Sequence, residues 1–223
     1  MWPEAPGRAS VRDYTGDGVR RSLEESLDRL GLDRVDIVYV HDADEDLDAA
    51  ISKAIPALVG LREEGVVRAI GLGMNEPEPL VRAVHEADVD CVMIAGRYTL
   101  LDQSAAVELL PLCAERGVGV LVGGVFNSGI LARPEPDATF GYRPASPDLI
   151  ERALRLAAVC ERHGVSLATA ALQFPLGHPA INCILGGVRS VEELHGAVAA
   201  FDEDVPDDLW RELSAEGLLP GES

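Results

Sequence analysis

The side chains best suited to chemistry in this sequence stand just after apolar, strand-like runs. His41 directly follows the run 35–40, and Asn75 comes three residues after the run 67–72. An imidazole can exchange a proton near neutral pH, and functional groups of barrel enzymes gather at the carboxyl ends of strands. The alternative for each residue is structural, because a lone histidine often stabilises its own strand end and Asn75 could cap a following helix.

A second candidate is the segment Gly187-Val188-Arg189, which precedes the sequence Ser190-Val191-Glu192-Glu193. The latter has the pattern of a capping box and predicts a helix start. A helix start with free N–H groups binds phosphate, glycine allows a close approach of backbone, and Arg189 could add a charged hydrogen bond. The alternative is an ordinary capped helix with a surface arginine.

No metal site is predicted. An EF-hand calcium loop counted from Asp42 would need Gly at position 47 and Glu at position 53, where the chain has Leu47 and Lys53. We therefore interpret the acidic run 42–48 as a solvated helix start. The four cysteines form no C-x-x-C pair, and His85, His163, His178 and His195 show no ligand spacing. Buried thiols in a reducing cytoplasm are the expected state of the cysteines.

The elements that position these residues alternate between helix and strand. Predicted strands are 35–40, 67–72, 91–95, 118–122 and 182–185. Predicted helices begin near residue 17 and end at Gly31, run over 46–64 with a split at Pro56, and cover 80–87, 102–116, 146–164, 166–175, 190–201 and 206–213. In the helix 146–164, Ile150, Leu154 and Ala157 are expected to face inward. A Gly- and Pro-rich loop at 123–145 is long enough to suggest a function.

Apolar strands that alternate with helices predict an α/β fold with a parallel sheet covered on both faces. Two architectures fit this pattern. One is an open doubly wound sheet, and the other is a partial (β/α)₈ barrel of about five parallel strands with outer helices. The open sheet lacks its usual glycine signature, since Gly71-Leu72-Gly73 is followed by Met74-Asn75-Glu76.

Composition excludes some partners. Asp and Glu total 38 against 19 Lys and Arg, which gives a formal net charge of -19 in 223 residues. Such a surface repels nucleic acid and anionic membranes, so neither is an expected partner. An anionic cofactor would need local N–H groups or an arginine to offset this field. No apolar run reaches the length of a membrane span, and no signal peptide is visible.

Six sequence blocks resemble the aldo-keto reductases in order, spacing and strand placement, over about residues 17 to 202. They are 36–41, 68–75, 96–103, 126–131, 171–175 and 186–190. The blocks 96–101 and 140–145 are most similar to the branch that contains the aldose 1-dehydrogenases and pyridoxal 4-dehydrogenase. This resemblance favours the barrel over the open sheet. It implies hydride transfer between NADP or NAD and a small-molecule carbonyl or sugar.

The resemblance also implies roles for individual residues. His41 corresponds to the histidine that orients the carbonyl, and Asn75 to the asparagine that binds the nicotinamide carboxamide. Gly123, Phe126, Asn127 and Ser128 correspond to cofactor-binding positions, as do Gly187, Val188 and Arg189. Gly123 stands where many relatives have the aromatic that stacks on the nicotinamide, and Gly196 and Ala197 stand where many have a Glu-Asn pair near the adenine.

The family's aspartate, tyrosine and lysine have no counterparts here, since they belong to its first three strand units. We therefore predict one domain over 1–223 that lacks those units, with an irregular segment at 1–16. Lys53 is the only lysine, and it falls in an outer helix, which also argues against a Schiff-base aldolase. Tyr39 shares the strand face of His41 but is expected one layer deeper, as a core aromatic.

Three hypotheses follow. The first is an aldo-keto reductase for a sugar or related alcohol, inactive as this chain alone, with Met1 an internal start. The second is a non-catalytic partial barrel that binds nucleotide or a protein and associates with its own copy through an open sheet edge. The third is a self-contained five-stranded open sheet of unrelated function.

Overall fold

The computed structural model describes residues 11–219, which form an α/β architecture as predicted. Part of the segment predicted to be irregular, residues 1–10, lies outside the described residues. Helices are α1 Gly16–Leu30, α2 Leu47–Ala49, α3 Ile55–Glu63, α4 Pro77–Glu86, α5 Leu109–Arg116, α6 Pro147–Arg162, α7 Leu167–Gln173, α8 Val191–Asp202 and α9 Asp207–Ala215. Strands are β1 Ile37–His41, β2 Ala69–Met74, β3 Cys91–Ala95, β4 Gly119–Gly123, β5 Thr139–Phe140, β6 Arg143–Pro144 and β7 Ile181–Leu185.

Five of these strands form one sheet in the order β1-β2-β3-β4-β7, and every pairing in it is parallel. This confirms the predicted set of about five parallel strands with outer helices. Because the strands are parallel, all their carboxyl ends lie along one edge of the sheet. The two outermost strands, β1 and β7, each pair on one side only within residues 11–219.

Local sequence explains most helix ends. Thr15 caps α1 by accepting a hydrogen bond from Gly18 N, and Gly31 ends it in the left-handed conformation with φ of 67°. Ser146 and Ser166 cap α6 and α7 in the same way, with Pro147 at the first position of α6. None of the helices within residues 11–219 is long and apolar enough to cross a membrane.

Three predicted helices differ in detail. Pro56 does not split its helix, because a π-helical turn at Ala50–Ala54 joins α2 to α3 and leaves the chain helical around the proline ring. Asp102 accepts hydrogen bonds from Ser104, but only a 3₁₀ turn follows, and α5 begins at Leu109. In α6 the prediction for Leu154 was wrong, since its side chain is 50% exposed.

Two apolar clusters hold the molecule together. The first packs α1 to α5 against the sheet and includes Ile55, Leu72 and Leu80. The second unites α6, α7 and α9 through Ala153, Leu156 and Cys160, which explains why Leu154 faces outward. Leu100 and Ile130, from the loops after β3 and β4, are fully buried in this second cluster and so fix both loops at the carboxyl edge.

Candidate functional site

A cleft of about 490 Å³ lies at the carboxyl edge of the sheet. Its walls come from the loops after β2, β3 and β4 and from the short antiparallel hairpin of β5 and β6. The lining residues are 75–76, 95–97, 124, 127–128 and 140–143. Three of the predicted cofactor-binding residues, Asn75, Asn127 and Ser128, therefore meet in one place.

The floor of the cleft is backbone rather than side chain. Gly96 and Gly124 both have positive φ, 70° and 62°. A Cβ atom added to Gly124 would lie 3.2 Å from Gly96 N, and Gly96 N itself donates to the carbonyl of Gly123 at 2.9 Å. Because the two loops pack directly against each other and both have positive φ, glycine is required at both positions.

Asn127 and Ser128 form the next part of the wall in a conformation that non-glycine residues rarely adopt, with φ of 44° and 62°. Asn127 is buried, and its Nδ2 donates to Gly96 O at 3.0 Å. Its Oδ1 has no hydrogen-bond partner within the described residues. A buried acceptor without a donor is costly, so this atom is suited to a donor that a ligand or water supplies.

The β5–β6 hairpin covers the opposite side of the cleft. Its turn consists of Gly141 and Tyr142, with φ of 57° and 62°, the two positive values that a type I′ turn needs. The hairpin is attached to Ser128 by two hydrogen bonds: Tyr142 N donates to Ser128 Oγ at 3.1 Å, and Thr139 Oγ1 donates to Ser128 O at 3.2 Å. Ser128 therefore positions this hairpin in addition to lining the cleft.

Arg97 lines the cleft but has its charge offset by two carboxylates. Its guanidinium donates to Glu76 and, at 3.4 Å, to Asp102. These contacts connect the loop after β2 to the loop after β3. The hydrogen bond to Glu76 is the main reason why the pKa of Arg97 is raised.

His41 lies at the end of β1, beside the cleft and on the outer edge of the sheet. Its side chain is 67% exposed and its Nδ1 is 3.4 Å from Asp42 Oδ2. Asp42 Oδ1 also accepts from Asn75 Nδ2 at 3.4 Å. Asp42, whose φ is 47°, thus stands between the two predicted residues at the ends of neighbouring strands. His41 faces a groove of about 840 Å³ between α1 and β1.

The predicted anion loop follows β7, the outermost strand on the other side of the sheet from β1. Ser190 caps α8 by accepting from Glu193 N at 3.2 Å, as the capping pattern predicts. The Glu193 carboxylate, however, accepts from the backbone N of Arg189 at 2.7 Å and from its guanidinium. These bonds from Arg189 lower the pKa of Glu193. The groups expected to hold a phosphate are therefore engaged by this carboxylate.

The remaining predicted residues do not line the cleft. Gly123 is the last residue of β4 and pairs with Ala95 and Leu185. Phe126 is partly buried between the two apolar clusters. Gly187 and Val188 belong to the exposed loop after β7, with Val188 43% exposed.

Tyr39 lies deeper on β1, as predicted. Its hydroxyl is buried and has no hydrogen-bond partner within the described residues. Burial, with the Cys91 thiol nearby, raises the pKa of Tyr39 well above its ordinary value. Lys53 is exposed in the π-helical segment on the outside of the sheet. Residues 11–219 contain no group of three or more metal-binding side chains.

Sequence reasoning missed Asp42, Arg97 and Arg143. Asp42 was interpreted as part of a solvated acidic run, yet it directly follows the last residue of β1 and was therefore open to the argument used for His41. Arg97 directly follows Gly96 after β3, which is the same kind of signal. Arg143 belongs to the loop that was suspected of function for its length, but no local pattern distinguishes it.

A parallel sheet whose strands follow one another in chain order, with outer helices and a cleft at the strand carboxyl ends, is the α/β architecture of part of a barrel. The family model for the aldo/keto reductase family matches residues 7–215, and the chain belongs to that family. The chain is 47% identical to D-threo-aldose 1-dehydrogenase of a Pseudomonas species over 93% of its own length and 64% of the relative's. It is 42% identical to pyridoxal 4-dehydrogenase of Microbacterium luteolum, covering 98% and 67%.

Solved structures agree on the fold. An aldo-keto reductase from Bacillus halodurans aligns with a TM-score of 0.72 at 23% identity, covering 92% of this chain and 68% of the other. Glycerol dehydrogenase from Gluconobacter oxydans aligns with a TM-score of 0.75 at 19% identity, covering 100% and 71%. The chain thus spans about two thirds of the length of these proteins. Nicotinamide cofactors are the cofactors of this family, and one relative is named as an NADH-specific methylglyoxal reductase.

Proposed function

We propose that this chain is the later part of an NAD- or NADP-dependent oxidoreductase that interconverts a sugar or related alcohol and its carbonyl form. The observation that carries this is the meeting of His41, Asp42 and Asn75 at the ends of two neighbouring strands, beside a cleft floored by glycine backbone. The names of relatives, which include D-threo-aldose 1-dehydrogenase and L-galactose dehydrogenase, support the substrate class.

The cleft fits a dinucleotide in three respects. Gly96 and Gly124 line it with backbone and no side chain, Asn127 Oδ1 is an acceptor that lacks a donor within the described residues, and Arg143 supplies positive charge. We expect Asn75 to bind the carboxamide, and 124–128 with the hairpin to bind the phosphates. When bound, the nicotinamide supplies or accepts the hydride.

His41 would orient the substrate oxygen, with Asp42 holding its Nδ1 side. Residues 11–219 place no tyrosine–lysine pair suited to move the proton at the strand ends, because the single lysine, Lys53, is outside the sheet and Tyr39 is in a lower layer. We therefore propose that the domain is a barrel lacking its first three strand units, and that this chain by itself binds cofactor without turnover.

The test compares the chain with the protein as its own cells make it. Both would be offered aldoses and pyridoxal with NAD or NADP, and formation of reduced nicotinamide would be followed. We expect turnover by the native protein and cofactor binding alone by residues 1–223. In the active form His41→Ala should lower kcat/KM by about 100-fold, whereas His85→Ala, on the exposed side of α4, should leave it unchanged. Failure of both forms to bind either nucleotide would overturn the proposal.

A second function, a non-catalytic module that associates through its sheet edges, is favoured by the exposed apolar side chains there. Ile37 on β1 is 44% exposed, and Leu194, Val198 and Phe201 on α8 are 48%, 53% and 52% exposed. Light scattering at increasing concentration would test self-association, and a monomer at all concentrations would argue against it.

We also propose a cytoplasmic location, because the four thiols are free and three of them are buried.

A further inference from the structure

We propose that Met93 determines substrate specificity: its side chain contacts the carbon next to the reacting carbon and selects the configuration there. This inference rests on the proposed function and deepens it, because it concerns the substrate whose oxygen His41 would orient. Neither the sequence blocks nor the cleft drew attention to Met93. The register of the sheet does.

The first step is the face of the sheet on which Met93 lies. Leu72 and Ile94 are fully buried against the outer helices in the first apolar cluster. Because side chains alternate along a strand, their neighbours Gly73 and Met93 lie on the opposite, inner face. His41 pairs with Gly73, and Gly73 pairs with Met93, so these three residues form one row across β1, β2 and β3.

The glycine in this row leaves a space between the other two side chains. A Cβ atom added to Gly73 would lie 3.5 Å from His41 Cδ2, 3.6 Å from Met93 Cβ and 4.0 Å from Met93 Sδ. The imidazole and the thioether therefore border the same space. Met93 is only partly buried, so part of its side chain is open to a ligand on this face.

The orientation of the imidazole turns one nitrogen toward this space. Its Nδ1 is 3.4 Å from Asp42 Oδ2. On the other side of the ring, Cδ2, to which Nε2 is bonded, faces the space at Gly73. A substrate oxygen that accepts a hydrogen bond from Nε2 or donates one to it would place its own carbon near Gly73, and the following carbon within reach of Met93.

A thioether favours C–H groups over hydroxyl groups. Methionine has no N–H or O–H donor and its sulfur is only a weak acceptor, so a hydroxyl placed against it loses hydrogen bonds to water and gains no equivalent. In an aldose, the carbon next to the reacting carbon carries one hydrogen and one hydroxyl. The accepted sugar is the one that turns this hydrogen toward Met93, and its epimer at that carbon is disfavoured.

The test compares kcat/KM for two epimers, using the protein as its cells make it. The probes are the aldose that it oxidises best with NAD or NADP and the epimer of that aldose at the adjacent carbon, such as the pair D-arabinose and D-ribose. We expect the wild type to favour one epimer by at least about tenfold. Met93→Gln keeps the side-chain length but adds an amide that can bond a hydroxyl, so the ratio should fall below about threefold.

Met93→Leu is the conservative variant, since leucine is apolar and similar in volume, and it should keep the ratio within about twofold of the wild type. The ratio is measured in one preparation of each variant, so a change in the folded fraction cancels. Leu121→Gln is the matched control for a polar group on the inner face. Leu121 pairs with Met93, is also partly buried and lies one strand farther from His41. It should leave the ratio unchanged.

Gly73→Ala fills the space itself and should lower kcat/KM for both epimers by about tenfold. Its added Cβ has no contact shorter than 3.5 Å, so the unfolding transition should change little. This variant separates occupation of the space from damage to the fold.

Four results would overturn the inference alone. They are equal oxidation of the two epimers by the wild type, a ratio that Met93→Gln leaves unchanged, an equal change in Leu121→Gln, and full activity of Gly73→Ala. If the wild type oxidises no aldose, the proposed substrate class itself is wrong and the inference fails with it.

Discussion

The centre of the sheet and its two edge strands, β1 and β7, differ in how deeply their residues are buried within residues 11–219. In β2 five of six residues are buried, and the loops after β3 and β4 are fixed by buried Leu100 and Ile130. In β1 no residue is fully buried, and in β7 only Ile181 is. The cleft lies at the well-buried centre of the sheet. His41 lies at the end of the exposed edge strand β1, and Arg189 follows the other edge strand, β7.

The difference shows in what the functional side chains contact. In the cleft, Asn127 and Ser128 bond to backbone on other elements, so their positions are set by long-range packing. At the edges, His41 lies against the adjacent Asp42, and Arg189 bonds Glu193 four residues later. Local pairs of this kind are weak and exposed, so they can exchange for other partners. The side chains at the edges are therefore the ones whose contacts a ligand or partner could most easily replace.

The largest expected effect tests the rigidity of the centre. A Cβ on Gly71 would lie 1.9 Å from the carbonyl oxygen of Cys91, so Gly71→Ala must move a paired strand. We expect a loss of at least about 3 kcal/mol in the free energy of unfolding. The matched control is Gly73→Ala, since a Cβ there would have its nearest contact at 3.5 Å. Urea unfolding of both variants checks this, and equal losses would contradict a tightly packed centre.

A second pair compares one central and one edge helix. Leu80 of α4 is fully buried, whereas Leu194 of α8 is 48% exposed. Leu80→Ala should cost about 2–5 kcal/mol, and Leu194→Ala less than about 1 kcal/mol, in residues 1–223. In the protein as its cells make it, a much larger cost for Leu194→Ala would mean that α8 is covered there. Thermal or urea unfolding of each form gives both values.

A third prediction concerns Tyr39, whose buried hydroxyl has no partner within the described residues. Tyr39→Phe should stabilise the fold by about 1 kcal/mol, because it removes an unsatisfied polar group and keeps the ring. The raised pKa also sets a pH dependence. Above pH 10, the ordinary pKa of tyrosine, the unfolded state loses this proton before the folded state does, so stability falls. Unfolding measured between pH 8 and pH 11 (about one to two units either side of that value) should show a smaller decline for Tyr39→Phe.

The smallest effect tests the edge loop. Glu193→Gln should release Arg189, which could then bind the additional phosphate that NADPH has and NADH lacks. We therefore expect the affinity for NADPH to rise about threefold, with little change for NADH. The Glu193 side chain is 41% exposed, so no measurable change in stability is expected. Because the lowered pKa reflects the bond to Arg189, acid should break the pair only below the ordinary glutamate range. Glu192→Gln, a neighbour without this arginine contact, is the control, and an equal effect there would indicate a general loss of negative charge.

Much of this architecture could be predicted from short segments. The runs 35–40, 67–72 and 91–95 gave strands because buried parallel strands are continuously apolar, and Ser146, Ser166 and Ser190 start helices because their hydroxyls satisfy free N–H groups. The face of α6 could not be predicted, since its direction depends on α9, which lies far along the chain. Of the candidate site, the sequence indicated Asn75, Asn127 and Ser128, but it did not indicate that Arg189 bonds Glu193.

The sequence by itself determined the alternation of strands and helices, the family, and the strand ends at which functional groups stand. Those features rest on local periodicity, capping and residue order. Only the tertiary structure decided which groups meet: Asp42 between His41 and Asn75, the glycine contact of Gly96 with Gly124, and Arg143 over the cleft. Such contacts join residues separated by tens of positions. They depend on the register of the parallel strands and on the second apolar cluster, which fixes the loops after β3 and β4, and no local sequence pattern encodes either.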